Sequence, residues 1–272
     1  MSNKLMQTVS LFVMIFIAQK SGGKTMVATL IADLLTLNAI PFRAFQVDDQ
    51  KRLSHMIGET VVDLRPNPDL LIDDPTIAVR ALTPFYDSVR ASVTDKAVTL
   101  LDTGANEVEN VTNFLSAVDF ATDIAEWNVP AFACVPFYPL DPESTAQAAF
   151  TVGRLREAVP NIRLILIENR HLGSAERIVA GSIAEANYAD LLAKAASAER
   201  IVMPMIHREY WAPFEGSGIR FLKALAMDPE DGARRLGRSV GEIKIMKSAI
   251  ARFWRQMHAQ FSRIIDLPEG GE

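Results

Sequence analysis

A lysine–threonine pair near the start of the chain directly follows two glycines. The stretch Val9–Leu35 is an apolar run, then the turn Gly22-Gly23-Lys24-Thr25, then apolar residues at helical spacing. A strand that joins a helix through such a turn presents backbone N–H groups and the positive end of the helix dipole to an anion. The ammonium of Lys24 can then reach terminal phosphates, and the hydroxyl of Thr25 can ligate Mg²⁺.

The second half of this turn matches the phosphate-binding P-loop pattern G-x-x-x-x-G-K-[ST]. Gly23-Lys24-Thr25 is intact, whereas Ala18 occupies the place of the first glycine. The alternative is a strand–turn–helix junction whose lysine is merely solvated. We predict a phosphate-binding loop because strand and helix patterns flank the turn. Its predicted residues are Gln19, Lys20, Ser21, Gly22, Gly23, Lys24, Thr25 and Met26.

Two carboxylates end apolar segments further along the chain. Asp102 follows the apolar strand predicted at 97–101 and resembles a Walker B carboxylate, which holds Mg²⁺ directly or through water. The alternative is that Asp102 caps the next helix. Asp48 ends the strand predicted at 42–47, where it can orient a water for attack on a phosphate. The alternative for Asp48 is a helix cap, and Asp49 is its rival for the catalytic role.

Asn169 follows a further apolar segment, Ile162–Ile167. Its amide offers a donor and an acceptor to a purine edge, and a loop turn is an equal alternative from the residues alone. The four histidines lack metal-ligand spacing, and no Ser-His-Asp arrangement stands out. Cys134 is the only cysteine and lies in an apolar run, which favours a buried core position in a reducing, cytoplasmic setting.

Apolar segments that read as strands alternate with helical patterns along most of the chain. The predicted strands are Val9–Ala18, Phe42–Val47, Ala97–Leu101, Val129–Val135, Ile162–Ile167 and Arg200–Met205. This alternation predicts an α/β fold with a mostly parallel sheet and helices on both faces. The polar candidates follow the strands, and ligands of such sheets bind at the carboxyl ends of the strands.

Composition bounds the class of protein. The chain has 272 residues, is 49% hydrophobic and carries a net charge of −5. It is therefore not mostly disordered, and its bulk charge does not indicate nucleic-acid binding. The apolar run before the turn is too short to span a bilayer as a helix, and the polar turn after it is poor signal-cleavage chemistry.

The C-terminal segment Val240–Asp266 has a helical pattern of apolar residues with basic residues between them. We predict a C-terminal amphipathic helix packed on the domain. A partner-docking helix and a membrane-surface helix are the alternatives that this basic amphipathic pattern permits. The predicted organisation is a nucleotide-binding domain at 1–228 and a helical appendage at 229–272.

Taken in order, these motifs resemble the ParA/MinD family of deviant Walker A P-loop ATPases. The family loop reads K-G-G-x-G-K-[ST], and the matching segment here is Gln19-Lys20-Ser21-Gly22-Gly23-Lys24-Thr25. The family's signature lysine, which reaches the partner's nucleotide in a dimer, falls on Gln19. If the loop has lost one residue, Lys20 takes that place.

Three further segments carry the resemblance. The segment 46–50, QVDDQ, is similar to the family's D-x-D-P-Q and places water activation on Asp48, with Gln46 replacing the first aspartate. Asp102-Thr103-Gly104 is similar to D-T-[PA]. The segment 167–170 resembles the one whose asparagine, here Asn169, recognises adenine, and Pro204 lies in a segment like the V-I-P that flanks the base.

The resemblance implies an Mg²⁺-dependent, slow and partner-stimulated ATPase that acts as a switch. Its expected partners are ATP, a second copy in a nucleotide-dependent homodimer, nonspecific DNA, and a DNA-binding or relaxosome protein, with membrane contact less favoured. The expected process is plasmid partition, positioning or conjugative transfer. Candidate DNA-facing residues are Arg208, Arg220, Lys223, Arg234, Arg235 and Arg238.

Two other functions compete with this one. The first is a non-hydrolysing nucleotide-binding adaptor that recruits a protein through its C-terminal helix. The second is an ATP-dependent enzyme of small-molecule metabolism, against which the chain shows no second-substrate signature and no Cys-x-x-Cys.

Overall fold

One parallel sheet runs through the centre of the molecule. The computed structural model describes residues 11–20, 22–58, 60–67, 69, 74 and 76–265, so Ser21 of the predicted loop lies outside the described residues. The strands are β1 Val13–Phe16, β2 Phe42–Val47, β3 Val61–Asp63, β4 Val98–Thr103, β5 Ala131–Phe137, β6 Arg163–Asn169 and β7 Glu199–Met203. All pairings between them are parallel, which confirms the predicted fold class.

Helices connect these strands and follow the last one. They are α1 Lys24–Leu37, α2 Arg52–Ile57, α3 Thr76–Arg80, α4 Thr83–Asp95, α5 Val108–Ala117, α6 Phe120–Glu126, α7 Pro142–Ala158, α8 Ile183–Lys194, α9 Arg208–Gly216, α10 Phe221–Ala226, α11 Pro229–Leu236 and α12 Val240–Phe261. Helix α7 begins as its sequence predicts, because the Asp141 side chain accepts hydrogen bonds from two first-turn N–H groups.

The strand order is β3-β2-β4-β1-β5-β6-β7. Strand β1 therefore lies between β4 and β5, and the first half of the sheet extends to one side of it and the second half to the other. The register places Phe16 and Gln46 on either side of Asp102. As a result, the carboxyl ends of β1, β2 and β4 lie at the same level.

Burial on both faces explains the near-continuous apolar sequence of β1. Val13 and Ile15 pack into one hydrophobic cluster with α4–α8, whereas Met14 and Phe16 pack into the opposite cluster with α1, α2 and α9–α12. Side chains of a strand alternate between faces, so a strand covered on both sides has apolar residues at successive positions.

The C-terminal amphipathic helix is present as α12, and its apolar stripe is inside the molecule. Ile243, Met246, Ile250, Phe253, Trp254, Met257 and Phe261 are all buried. Phe221 of α10 stacks against both Trp211 and Phe253, with ring centroids 4.2 and 5.4 Å apart. These apolar residues, which suggested a partner-docking or membrane-surface helix, are therefore buried in the hydrophobic core of the same chain. The domain boundary at 228/229 stays a prediction.

Several element boundaries differ from the sequence-based expectation. The segment 62–75 is rich in Pro, Asp and Asn, which predicts surface loop, but Val61–Asp63 forms strand β3, which is too short to show alternation. The helical pattern over 108–127 predicts a single helix, but the first helix ends at Ala117 and a second begins at Phe120, because Asp119 adopts a left-handed conformation with φ of 50°. Pro84 lies in the first turn of α4 and does not kink it.

A buried ion pair joins α1 to the helices that follow β7. The side chain of Asp33 is 0% exposed, and its Oδ1 lies 2.8 Å from Nε of Arg220. Its Oδ2 accepts a hydrogen bond of 3.0 Å from the N–H of Leu222, in the first turn of α10. The helix that follows the glycine turn is thus attached to the C-terminal layer by charge as well as by apolar packing.

We predict that Asp33→Ala destabilises the fold by about 3–5 kcal/mol, because it leaves Arg220 without its buried partner. Urea unfolding measures this change. The matched control is Asp231→Ala, since Asp231 pairs with Arg234 on the exposed surface, where ion pairs contribute little. A midpoint for Asp33→Ala as close to wild type as that of the control would contradict a structural role for the pair.

Candidate functional site

Both glycines of the turn are required by the geometry of the β1–α1 loop. A Cβ atom added to Gly22 would lie 2.6 Å from the carbonyl oxygen of Pro136 in β5. Gly23 has φ of 101°, in the left-handed region that side chains disfavour. The loop therefore lies directly against the end of β5, and neither glycine position accepts a side chain without strain.

Lys24 closes over this loop. Its side chain is buried, and Nζ donates hydrogen bonds to the carbonyl oxygens of Ala18 at 2.9 Å and Lys20 at 3.0 Å. Burial lowers the pKa of Lys24, while the nearby carboxylates of Asp102 and Asp48 act to raise it. An ammonium has three N–H donors, so one remains for an anion in the cleft.

Thr25 and Asp102 form a buried pair beside Lys24. The Thr25 hydroxyl donates to Oδ2 of Asp102 at 2.7 Å, and Asp102 is 0% exposed. The other carboxylate oxygen, Oδ1, is buried without a hydrogen-bond partner among the described residues. Burial raises the pKa of Asp102 to about 7, against the effects of Thr25 and Lys24. A buried oxygen without a partner next to a hydroxyl suits a hard cation such as Mg²⁺.

A metal held here needs ligands beyond the protein. Within the described ranges, no group of three or more histidine, cysteine, aspartate or glutamate side chains is placed to hold an ion. Mg²⁺ commonly takes one or two protein oxygens and completes its shell with water and substrate phosphates. Thr25 and Asp102 fit that pattern and remain the predicted metal ligands.

The structure separates the two carboxylates that follow β2. Asp48 is half-buried and lines the cleft above Lys24. Asp49 is 98% exposed and faces Arg65, with 3.4 Å between the charged atoms. Of the two, Asp48 therefore lines the cleft and Asp49 does not, and the catalytic role of Asp48 stays a prediction.

Asn169 is held against the loop. Its side chain is buried, its Nδ2 donates to the carbonyl oxygen of Gly22 at 2.8 Å, and its Oδ1 accepts from the N–H of His171 at 3.0 Å. The residue thus ties the end of β6 to the turn. Both atoms have capacity for one more hydrogen bond, so recognition of a purine edge stays a prediction.

A cleft of about 540 Å³ joins these groups along the carboxyl edge of the sheet. Predicted residues that line it are Gly23, Lys24, Thr25, Met26, Asp48, Asn169 and Pro204. Gln19, Lys20, Gly22 and Asp102 are not among the residues that line it. The structure therefore gathers the candidates from five separate segments of the chain, as parallel strand ends should.

Lys20 points towards α7. Its Nζ lies 2.7 Å from Oδ2 of Asp141, the N-cap of that helix, and 2.9 Å from Oε2 of Glu143 in its first turn. These carboxylates raise the pKa of Lys20. Gln19, the other candidate for the signature position, is half-buried. Of the two residues, only Lys20 carries a positive charge that could bind a phosphate. In this structure its ammonium is bound instead by Asp141 and Glu143 of the same chain.

Sequence reasoning missed several residues of the cleft, notably Arg52, Tyr138 and His171, and it assigned Arg208 to DNA contact rather than to the cleft. They lie in loops or first turns, where no apolar periodicity singles them out. The signal that could have found Arg52 is its place four residues after Asp48, within a short polar run that follows a buried strand.

The six basic residues proposed for DNA contact are not equivalent. Arg220 pairs with Asp33, Arg234 with Asp231, and Arg238 with Glu242. Arg208 lines the cleft. Lys223 and Arg235 have no carboxylate partner among the described residues. The cluster predicted at 234–238 is therefore partly neutralised.

No family model matches the chain, and no curated protein matches it either. No helix in the described part of the chain combines the length and apolar character needed to cross a bilayer.

Solved structures of similar architecture exist. An ATP complex of a McdA variant from Cyanothece is 12% identical, with a TM-score of 0.49 over 89% of this chain and 97% of that one. The MinD cell division protein of Aquifex aeolicus is 14% identical, with a TM-score of 0.44 over 91% and 97%. The signal recognition particle receptor FtsY of Elizabethkingia anophelis is 12% identical, with a TM-score of 0.40 over 72% and 59%.

These likenesses are too distant to carry a function. MinD is one of the two proteins that give the resembled family its name, but the fold of this chain rests on its own strand order and register. What the site can do rests on the contacts described above.

We predict that Gly22→Ala lowers the affinity for inorganic tripolyphosphate at least about tenfold, because its Cβ would push the loop off Pro136. Isothermal titration calorimetry measures the affinity. The control is Gly153→Ala, a helical glycine whose Cβ would meet no atom within 4 Å. Equal affinity in both variants would show that the contact with Pro136 does not set the shape of the anion cradle.

Proposed function

We propose that this protein is a P-loop ATPase of the ParA/MinD type, which binds MgATP, hydrolyses it slowly and works as a switch. The observation that carries this proposal is the buried hydrogen bond of 2.7 Å between Thr25 and Asp102, directly beside Lys24. It unites the end of the glycine turn with the end of a central strand, which is where an Mg²⁺-bound phosphate would lie.

The assignment of roles follows the cleft. Lys24 binds the β- and γ-phosphates through its remaining N–H donor and its charge. Thr25 and Asp102 hold Mg²⁺, which when bound neutralises phosphate charge. Asp48 orients the attacking water and accepts its proton. Asn169 and Pro204 lie at the other end of the cleft, beside the ends of β6 and β7, and take the adenine.

The switch requires that ATP binds two conformations with different affinity. We propose that one of them is a homodimer that forms with ATP, and that Lys20 leaves Asp141 and Glu143 to reach the nucleotide of the second copy. Hydrolysis then returns the monomer. In a cytoplasmic setting, such a cycle suits plasmid partition or conjugative transfer, driven by DNA or a DNA-binding or relaxosome protein.

The adaptor alternative loses its main support in the fold. It relies on the C-terminal helix to recruit a partner, and the apolar stripe of α12 is buried. What α12 exposes is a mainly polar and basic face, including Lys244, Arg252 and Arg255, with Val240 and Ile245 as its exposed apolar residues. A carboxylate placed in the cleft, Asp48, favours hydrolysis over simple retention of nucleotide.

We predict that Lys24→Ala weakens MgATP binding about a hundredfold, whereas Asp48→Ala keeps binding and loses turnover about a hundredfold or more. Lys24 interacts with the nucleotide before and during reaction, while Asp48 acts on the water. Calorimetric titration and phosphate release separate the two effects.

Asp49→Ala is the matched control for Asp48, because its carboxylate faces Arg65 outside the cleft. It should keep both binding and turnover. If Asp49→Ala loses turnover and Asp48→Ala does not, the role moves by one residue. Retained MgATP affinity in Lys24→Ala would overturn the proposed cradle.

We predict that MgATP doubles the mass of the Asp48→Ala protein in analytical ultracentrifugation, because blocked hydrolysis retains the dimer. Adding Lys20→Ala should abolish the increase, and adding Gln19→Ala should leave it, since only the lysine supplies charge. The reverse result would assign the signature position to Gln19. A mass that never rises with MgATP would reject the dimer.

A further inference from the structure

Three cations, Lys51, Arg52 and Arg65, lie in the segments that follow β2 and β3, and two of them are neutralised. Nζ of Lys51 lies 3.4 Å from a carboxylate oxygen of Asp63, and Arg65 pairs with Asp63 at 2.7 Å. Arg52 pairs with no carboxylate in the part of the chain that the structure describes. It is exposed and lines the cleft, together with Asp48 and Lys24.

A buried glutamine fixes the helix that carries Arg52. Gln46 of β2 is 0% exposed, and its amide exchanges two hydrogen bonds with Ser54 of α2, at 3.1 Å through the N–H and at 3.2 Å through the hydroxyl. Leu53 and Met56 anchor the same helix in the core. The backbone of Arg52 is therefore rigidly placed, which limits the entropy lost when its side chain binds an anion.

The sheet order indicates which end of a nucleotide Arg52 faces. Strands β4 and β2 lie on one side of β1, and β5, β6 and β7 lie on the other. With the base beside β6 and β7 and the β-phosphate over the loop after β1, the terminal phosphate points towards the ends of β4 and β2. Arg52, Asp48 and Gly104 line the cleft on that side.

Arg52 shares the cleft with Lys24 and Asp48. A guanidinium suits phosphate because it is always charged and can donate two parallel hydrogen bonds. Its position on the same chain distinguishes it from a residue that a partner would bring.

We propose that Arg52 binds the γ-phosphate of ATP in cis and stabilises the charge that develops on it during transfer to water. This rests on the proposed function, because it assumes that the cleft holds MgATP. An arginine at this point would let the free chain distinguish ATP from ADP, and it would supply part of the hydrolysis rate without a second protein.

The test compares Arg52→Ala with Lys51→Ala, the adjacent cation that is paired with Asp63. We expect Arg52→Ala to weaken MgATP binding about tenfold or more in calorimetric titration, with MgADP affinity changed less than about twofold. Turnover at saturating ATP should fall at least about tenfold, since a cation on the transferring phosphoryl group acts chiefly in the transition state. Lys51→Ala should change none of these.

Arg52→Lys provides a second variant that keeps the charge and removes the bidentate geometry. It should recover ATP affinity more than turnover. Equal losses of ATP and ADP affinity in Arg52→Ala, or no loss of either with an unchanged melting temperature, would overturn the proposal. If the wild-type protein bound neither nucleotide, the proposed function itself would fail, and that outcome is distinguishable from both.

Discussion

The hydrogen bond between Thr25 and Asp102 is the contact on which the site depends. It requires β1 and β4 to be neighbours in parallel register, because only then does the residue after the glycine turn meet the residue at the end of the adjacent strand. The Thr103 hydroxyl strengthens the same junction by donating to the Phe16 carbonyl at 3.0 Å. Burial removes water from this pair, so a cation stabilises the carboxylate more than solvent does.

The loop is supported from both sides of β1. On one side Pro136 and Asn169 hold Gly22 by close approach and by a hydrogen bond. On the other, the N–H of Gly104 donates to the carbonyl of Val47, which joins the ends of β4 and β2. Such support fixes the backbone amides before a ligand arrives, and preorganised donors bind anions without a further cost of reorganisation. Asp33 extends the support through α1 to the C-terminal helices.

Much of the fold could be predicted because the positions of most strands and helices follow from the local spacing of apolar and polar residues. The apolar run before the glycines, the alternation of strands and helices, and the polar residues after each strand identified the parallel sheet and its ligand-binding edge. Strand β3 and the break at Asp119 could not be predicted. A three-residue strand has no periodicity, and the left-handed conformation of Asp119 depends on how α5 and α6 pack. The motif residues Lys24, Thr25 and Asp102 were found because strand ends and turn residues lie next to each other in the chain.

The sequence by itself determined the glycine turn, the strands that flank it and the order of polar strand ends, since these follow from side-chain type and spacing. Where two adjacent residues had the same chemistry, only the tertiary structure decided which of them faces the cleft. It turned Asp48 into the cleft and Asp49 out to Arg65, and it buried the apolar stripe of α12 that could otherwise have served a partner. It also tied Lys20 to α7 and left Arg52 facing the cleft. The physical reason is that a charged side chain takes its role from partners far away in the chain, whose positions no local pattern encodes.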